Sequence, residues 1–301
     1  MTDITFVFPN VSELRPQRGG LSSRAPHAAE QGCGYLEIPC DFVKNPREAQ
    51  RTGLAVGSAL TAAAIAELYD EEAGPAPLPY ILHTEPSLPR RGEFGIPSPA
   101  APLRWYDRDW TDALIGMTAG VAERLGNPPA AVEIHPGDRR NSYDDVVRGM
   151  AAIRAAFEER YGTMPAVLLE NRTDGQFIGD GKAIARFWNR LATVAPELAD
   201  DCGVVLDVQQ LYTKRKENFL VDLAAIPWDA LKAFHVHRLH RAVPSLADPI
   251  PWPEVFALIQ SLDRPVLINP EMHHLKHIAP TIAFCREQLA SLGEREPRTS
   301  G

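Results

Sequence analysis

Residues 166–208 read AVLLENRTDGQFIGDGKAIARFWNRLATVAPELADDCGVVLDV, and this stretch decides the fold. It begins with a short apolar run, 166–171, and closes with a second, 203–208; each carries a carboxylate near its end. Between them, 180–197 is an amphipathic stretch of helical length. Brief runs rich in Val and Leu are typical of buried parallel strands. The stretch therefore predicts a strand, a crossover helix and a second, parallel strand.

The same alternation extends along the whole chain. Eight such units close into a barrel more readily than they spread as an open sheet. The open doubly wound sheet is the alternative, but the Gly-rich nucleotide motifs GxGxxG and GxxxxGK[ST] are missing from the sequence. We therefore expect an α/β protein with a single (β/α)8 TIM barrel domain over 1–292, followed by a disordered tail over 293–301. The predicted strands are 4–8, 35–39, 80–84, 131–135, 166–171, 203–208, 233–238 and 265–269. The predicted helices are 22–32, 53–70, 110–126, 143–161, 180–197, 221–232, 252–262 and 278–291.

Composition narrows the class of protein. With 301 residues and a 45% hydrophobic share, the chain can bury one large core. Its net charge of −8 argues against indiscriminate nucleic-acid binding. No apolar run reaches the roughly 20 residues of a membrane span, and the N-terminus has no secretory signal pattern. The spacing of Cys33, Cys40, Cys202 and Cys285 fits neither a CxxC metal motif nor a disulfide framework, so we expect reduced thiols in a cytoplasmic protein.

Polar residues stand at the ends of most predicted strands. In a barrel of this type the C-terminal strand ends meet in one pocket, where barrel enzymes keep their chemistry. Burying such groups unpaired is costly, and a divalent cation compensates for it directly, because neutral imidazoles and carboxylates are its ligands. The alternative, in which hydrogen bonds satisfy each group separately, stays open. The predicted metal ligands are His83, His135, Glu170, Asp207, His235, His237 and Glu271.

The order and wording of these strand endings resemble the xylose isomerase-like barrels, and within them the endonuclease IV branch. The segments that carry the resemblance are YILHTEP, AVEIHPGD, AVLLENRTDG, GVVLDVQQLY and AFHVH. It implies that His83, His135 and His235 are zinc ligands, that Asp207 is a further ligand, and that Glu170 bridges two metals. The resemblance extends from about residue 30 to residue 290.

Three departures from that branch limit what the resemblance implies. Gln210 stands where the branch has a histidine of a third metal site, and the Asp-x-His expected after the seventh strand is missing. An ungapped match puts Asn269 on the last carboxylate ligand, with Glu271 two residues further on. The expected cofactor is therefore one or two divalent ions, with zinc as the first choice and manganese, cobalt or iron as alternatives.

Two other segments resemble different branches of the same barrels. ADPIPWPEVF (247–256) is similar to the sugar isomerase and epimerase branch. LDVQQLY (206–212) is similar to the Leu-Asp-x-Asn-Asn segment of the multinuclear non-haem iron oxidases that modify peptides.

Basic residues follow six of the predicted strands and would lie on the same face of the barrel. They are Arg90 and Arg91 after the third, Arg139 and Arg140 after the fourth, Arg172 after the fifth, Lys214, Arg215 and Lys216 after the sixth, Arg238 and Arg241 after the seventh, and Lys276 after the eighth. In an otherwise acidic protein they favour a substrate with phosphate or carboxylate groups, either a small anion or a nucleic-acid phosphodiester. Ordinary solvated loops are the alternative. The predicted substrate-binding residues are Asn171, Arg139, Arg140, Arg172, Gln210, Arg238 and Asn269.

Four functions remain compatible with this sequence. Our first choice is a metal-dependent hydrolase of a phosphate-containing substrate. A sugar or sugar-phosphate isomerase or epimerase would use Glu170 or Glu271 as the catalytic carboxylate that moves a proton. A peptide-modifying iron oxidase and a metal-free binding protein are the further alternatives. In each of these functions the expected protein has no membrane partner.

Overall fold

Eight parallel strands pair in chain order, and β8 pairs with β1 to close the barrel. The computed structural model describes residues 2–14, 20–43, 45–84, 103–173 and 175–293. The prediction of a single (β/α)8 TIM barrel is thus confirmed. The strands are β1 Ile4–Phe8, β2 Tyr35–Pro39, β3 Tyr80–His83, β4 Ala131–Ile134, β5 Ala166–Glu170, β6 Gly203–Asp207, β7 Leu231–His235 and β8 Val266–Asn269. The helices are α1 Leu21–Gln31, α2 Pro46–Thr52, α3 Ala62–Leu68, α4 Arg108–Arg124, α5 Tyr143–Tyr161, α6 Gly181–Val194, α7 Val208–Arg215, α8 Phe219–Ala225, α9 Trp252–Ser261 and α10 Ile278–Gly293.

The barrel has two apolar layers. The larger lies between the strands and the helices around them. The smaller, here called the lower layer, fills the barrel interior toward the N-terminal ends of the strands. Side chains alternate between the two faces of a strand, and each buried member of this layer comes from a different strand. Its members are Val7, Ile81, Ala131, Leu168, Val205 and Ala233, with Tyr35, Ala166 and Leu267 packed against them.

Two predicted helices and one predicted strand were wrong in their bounds. The helix expected over 53–70 is shortened to α3, which starts after the N-cap Thr61. Helix α2 lies before those bounds and is closed by its C-cap Gly53, which has a left-handed φ of 69°. The helix expected over 221–232 ends at Ala225, because Pro227 cannot continue it. The seventh strand therefore starts at Leu231 and stops at His235 instead of spanning 233–238.

Three further expectations concern termini, thiols and membranes. The four cysteines are free and buried, as expected of reduced thiols. Within the described part of the chain, none of the helices is long and apolar enough to cross a membrane. Residues 294–301, which make up most of the expected tail, lie outside the described residues.

Helix α6 touches α8 at a glycine, and this contact gives a stability prediction. A Cβ on Gly181 would overlap the backbone carbonyl oxygen of Asp222. The Gly181→Ala variant must push α6 away from α8, so we expect its free energy of unfolding to fall by about 1–3 kcal/mol. Denaturant unfolding followed by circular dichroism measures this change.

Gly116 provides the matched control. It lies within α4, and a Cβ there would meet nothing within 4 Å. Gly116→Ala should raise stability by roughly 0.5–1 kcal/mol, because alanine loses less backbone entropy in a helix. Equal stability of the two variants would contradict the close approach of α6 to α8.

Candidate metal centre

Seven strands carry one polar side chain each into the upper part of the barrel. On each of these strands the polar residue lies two positions after an apolar residue that belongs to the lower layer or packs against it. Because side chains alternate along a strand, the apolar and the polar residue both face the barrel interior. The strand register sets them side by side: Asp207 pairs with His235, and His235 pairs with Asn269. All seven are buried: Glu37, His83, Glu133, Glu170, Asp207, His235 and Asn269.

His83, His135 and Glu170 form the first cluster. Nε2 of His135 lies 2.6 Å from Oε2 of Glu170, and Nε2 of His83 lies 3.4 Å from the same oxygen. The other nitrogen of each ring forms a hydrogen bond away from Glu170. Nδ1 of His135 donates to the carbonyl of Thr84 at 2.9 Å, and Nδ1 of His83 donates to Glu37 at 2.6 Å. These outer bonds fix both rings with Nε2 facing one carboxylate oxygen, as in histidines that bind a metal.

Asp207, His235 and Glu271 form a second cluster on the other side of Glu170. Nδ1 of His235 lies 3.2 Å from Oε2 of Glu271 and 4.0 Å from Oε1 of Glu170. Its Nε2 lies 3.2 Å from Oε1 of Glu133. The two carboxylate oxygens of Glu170 therefore face different clusters.

Several buried atoms in these clusters have no hydrogen-bond partner. An unsatisfied buried polar atom costs roughly 1–3 kcal/mol, and more when it is charged. The atoms are imidazole nitrogens and carboxylate oxygens, the donors that a divalent transition metal takes. The residues present thus fit one or more metal ions. The unpartnered atoms are His83 Nε2, His235 Nδ1 and Glu271 Oε2 in the two clusters, and Oε1 of Glu133, which lies 3.2 Å from Nε2 of His235.

The electrostatics of the two clusters favour positive charge among the carboxylates. Burial opposes protonation of His83, but Glu133 and the other carboxylates outweigh it and raise the pKa well above its usual value. Burial likewise opposes charge on His235, while Glu133 and Glu271 raise its pKa well above the usual range. Burial would raise the pKa of Glu170, yet His135 and Arg172 hold it well below its ordinary value. Without a metal, protonated imidazoles balance the carboxylates; bound cations would take over that role.

The two candidates for the last ligand on the eighth strand have different surroundings. The Asn269 amide donates to Oε2 of Glu37 at 2.9 Å and accepts from the backbone N–H of Glu271 at 2.9 Å. Its polar atoms are thus engaged, whereas the Glu271 carboxylate reaches the second cluster from a residue with φ of 23°. This geometry favours Glu271 over Asn269 as a ligand.

Asn171 and Gln210 connect the ends of neighbouring strands. The buried Asn171 amide accepts from the backbone N–H of Asp207 at 2.8 Å and donates to its carbonyl at 3.2 Å. Gln210 donates its backbone N–H to Asp207 Oδ1 at 2.8 Å, and its side-chain oxygen accepts from Thr173. These contacts position Asp207, and a role in substrate binding stays a prediction for both residues.

The basic residues of the predicted set are divided between the interior and the surface. Arg172 is buried, with Nη1 3.4 Å from Oε1 of Glu170. Arg238 donates to Gln209 at 2.6 Å. Arg139 is exposed, and Arg140 is paired with Asp138 and stacked over Tyr106. Arg90 and Arg91, which the sequence also places near this face, lie outside the described residues.

The candidate metal centre includes residues that the sequence interpretation did not assign to it. Glu37 and Glu133 stand on interior positions of β2 and β4, so the period of two could have identified them. Trp105 donates its indole N–H to the carbonyl of His135 at 2.9 Å, a long-range contact without a local signal. His240 joins His237 and Glu271 in a further group of candidate ligands.

No protein-family model matches the chain, and no curated protein matches it. Solved structures do match. An AP endonuclease of family 2 from Brucella melitensis aligns with a TM-score of 0.57 and 14% identity, covering 95% of this chain and 99% of that one. A xylose isomerase domain-containing protein from Salmonella typhimurium gives 0.55 and 12%, covering 96% and 97%. A 3-keto-D-glucoside 4-epimerase from E. coli gives 0.53 and 14%, covering 95% and 100%. With all three identities at 14% or lower, what the chain shares with these proteins is their fold, a (β/α)8 TIM barrel.

Proposed function

We propose that this chain is a divalent-metal-dependent enzyme that holds two ions on either side of Glu170. One observation carries the proposal. Oε2 of Glu170 faces His83 and His135, while its Oε1 faces His235 at 4.0 Å. A carboxylate whose two oxygens serve separate imidazole groups is suited to bridge two cations.

The ligand sets differ between the two positions. His83, His135 and Glu170 would hold the first ion, with two imidazoles and one carboxylate. Glu170, Asp207, His235 and Glu271 would hold the second. Zinc is our first choice, with manganese, cobalt and iron as alternatives, because imidazole suits several of these metals. The four unpaired thiols favour a cytoplasmic location.

We propose hydrolysis of a phosphate-containing substrate as the reaction. Two divalent ions supply Lewis acidity and an activated water for such chemistry. Within the chain, buried Arg172 beside Glu170 can hold an anionic group near the centre. The HPG and LEN segments at 135–137 and 169–171 support the hydrolase over its alternatives. Binding of the phosphate group, of a small molecule or of nucleic acid, would use the exposed arginines above it.

A sugar isomerase or epimerase is the second candidate. Oε1 of Glu170 and Oε2 of Glu271 lie 4.0 and 3.2 Å from Nδ1 of His235, so two carboxylates are available beside one imidazole for moving a proton. This reaction needs the second ion alone. The solved epimerase with the same fold adds support for this candidate.

Elemental analysis of protein purified without chelator, together with turnover assays, tests both candidates. We expect about two divalent ions per chain and hydrolysis of bis(p-nitrophenyl) phosphate. One ion with epimerisation of a ketohexose would select the second candidate, and two or more irons with oxidase activity would select the peptide oxidase. Failure to bind any of these metals, even after reconstitution, would refute the proposal.

The arginines after β4 test the anionic substrate. Arg139 and Arg140 follow His135 closely, and an Arg–phosphate contact is charge-assisted and often bidentate. In the Arg139→Ala/Arg140→Ala double variant we expect inorganic phosphate to bind about tenfold to a hundredfold more weakly, with metal content unchanged. Calorimetric titration of the metal-loaded protein measures this.

Arg160→Ala is the control for that experiment. Arg160 is a similarly exposed arginine in the last turn of α5, at the opposite end of the helix from the β4–α5 loop, where it pairs with Glu123. The Arg160→Ala variant should bind inorganic phosphate with the same affinity as the parent protein. Equal phosphate affinity in the double variant, the control and the parent would identify the β4–α5 arginines as ordinary solvated surface.

A further inference from the structure

His237 is buried just beyond the end of β7 and touches two candidate ligands. Its Nε2 forms a hydrogen bond of 3.4 Å with Oδ2 of Asp207. The same nitrogen lies 3.1 Å from Oε2 of Glu271. Its position in the sequence predicts a metal ligand, like His235 two residues earlier. The hydrogen bond at its other ring nitrogen, Nδ1, contradicts that role.

Nδ1 of His237 accepts a hydrogen bond from the backbone N–H of His240, at 3.1 Å. A backbone amide can only donate, so Nδ1 carries a lone pair and the proton of the neutral ring is on Nε2. His135 has the opposite arrangement, since its Nδ1 faces the carbonyl of Thr84 and must carry the proton. The neutral ring of His135 therefore has its Nε2 lone pair available for a metal, whereas the neutral ring of His237 has an N–H at that position.

The turn after β7 is built around this contact. Leu239 and His240 have φ of 52° and 56°, in the left-handed region that non-glycine residues avoid. The His240 ring stacks on His237 at 3.8 Å, and its Nδ1 bonds the carbonyl of Glu271 at 3.2 Å. Of the four non-glycine residues with positive φ in the described ranges, three belong to this group: Leu239, His240 and Glu271. Strained backbone of this kind persists where the surrounding structure requires it.

We propose that His237 is a positioning residue and not a metal ligand: it donates its Nε2 proton to Asp207 and holds the Glu271 carboxylate beside it. The inference rests on the proposed function, because it concerns the second ion. It implies that the second position has His235 as its single imidazole among three carboxylates. Such a set suits harder ions such as manganese better than an imidazole-rich set does.

Three variants test the role of His237. Glutamine keeps an N–H near the position of Nε2 but is a poor metal ligand, so His237→Gln should retain both ions with nearly the parent affinity. His237→Leu removes the donor, and we expect the second ion to bind about tenfold to a hundredfold more weakly. His235→Gln, the matched control, should lose one ion. Metal content, competition titration and the visible spectrum of the cobalt-loaded protein are the measurements.

The outcomes separate this inference from the proposed function. Loss of one ion in His237→Gln, or a cobalt spectrum altered as in His235→Gln, would show that His237 is a ligand after all. Parent protein that binds no metal would overturn the inference and the proposed function together. Circular dichroism verifies that each variant folds, and rescue by glutamine but not by leucine supports the positioning role.

Discussion

The Glu170→Gln variant is expected to fold but to lose most of both ions and all detectable turnover. Glutamine has nearly the same shape as glutamate but carries no charge. The variant therefore lacks the carboxylate that would bridge the two ions. Four-ligand zinc sites bind with about 10–16 kcal/mol, or roughly 3 kcal/mol per ligand. Removing one ligand from each position should therefore weaken each ion by more than about a hundredfold. Elemental analysis after gel filtration measures the loss.

Two further variants define what that result means. Glu217→Gln makes the same chemical change at an exposed carboxylate next to α7 and should keep both ions. Asp207→Asn removes a ligand of the second position alone and should leave one ion bound. If Glu170→Gln retains two ions with parent affinity, Glu170 does not bridge them and the dinuclear centre is wrong.

The barrel could be predicted because its signal is local and repeated. Each strand is a short apolar run, and most of the eight predicted strands match the structure to within one residue at each end. The seventh was misplaced because FHVH reads as a continuing strand, whereas the chain leaves the sheet after His235. His237 therefore reaches the centre through a strained turn and not through strand alternation. Bounds of this kind depend on tertiary contacts that a periodic pattern does not contain.

The candidate ligands were predictable for a topological reason. In a parallel barrel every strand ends on the same face, so polar residues at strand ends must meet. The residues behind them were not predictable in the same way. The Thr84 carbonyl and Trp105 hold His135 through contacts across different strands and loops, and sequence order does not reveal such contacts.

The basic loops show where charge in a sequence is a poor guide to function. Lys214 and Arg215 are neighbours at the end of α7, and both were expected to contact an anionic substrate. Arg215 instead pairs with Asp222, whose side chain is 1% exposed. Lys214 is 3.9 Å from Asp180 and remains at the surface. The same pair of charges therefore contains one structural residue and one candidate for substrate binding.

The Arg215→Met variant is expected to lose about 3–5 kcal/mol of stability, because it leaves the carboxylate of Asp222 buried without its cation. Lys214→Met should cost less than about 1 kcal/mol, since its ion pair is long and exposed to solvent. For a chain of this size the first change corresponds to a fall in Tm of about 5–8 °C. Thermal unfolding of the metal-free proteins gives both values without interference from bound ions.

The double variant Arg215→Met/Asp222→Leu distinguishes a buried charge from a general packing defect. Replacing both partners leaves no unpaired charge, so most of the lost stability should return, as it does when buried ion pairs are exchanged for apolar residues. If the double variant is as unstable as Arg215→Met, the loss comes from packing between α7 and α8 and not from Asp222. Because Asp222, the partner of Arg215, also lies against Gly181 of α6, a weaker phosphate affinity in Arg215→Met could follow from a shift of these helices. Lys214→Met, which leaves that contact intact, is therefore the variant with which to measure whether the end of α7 binds substrate.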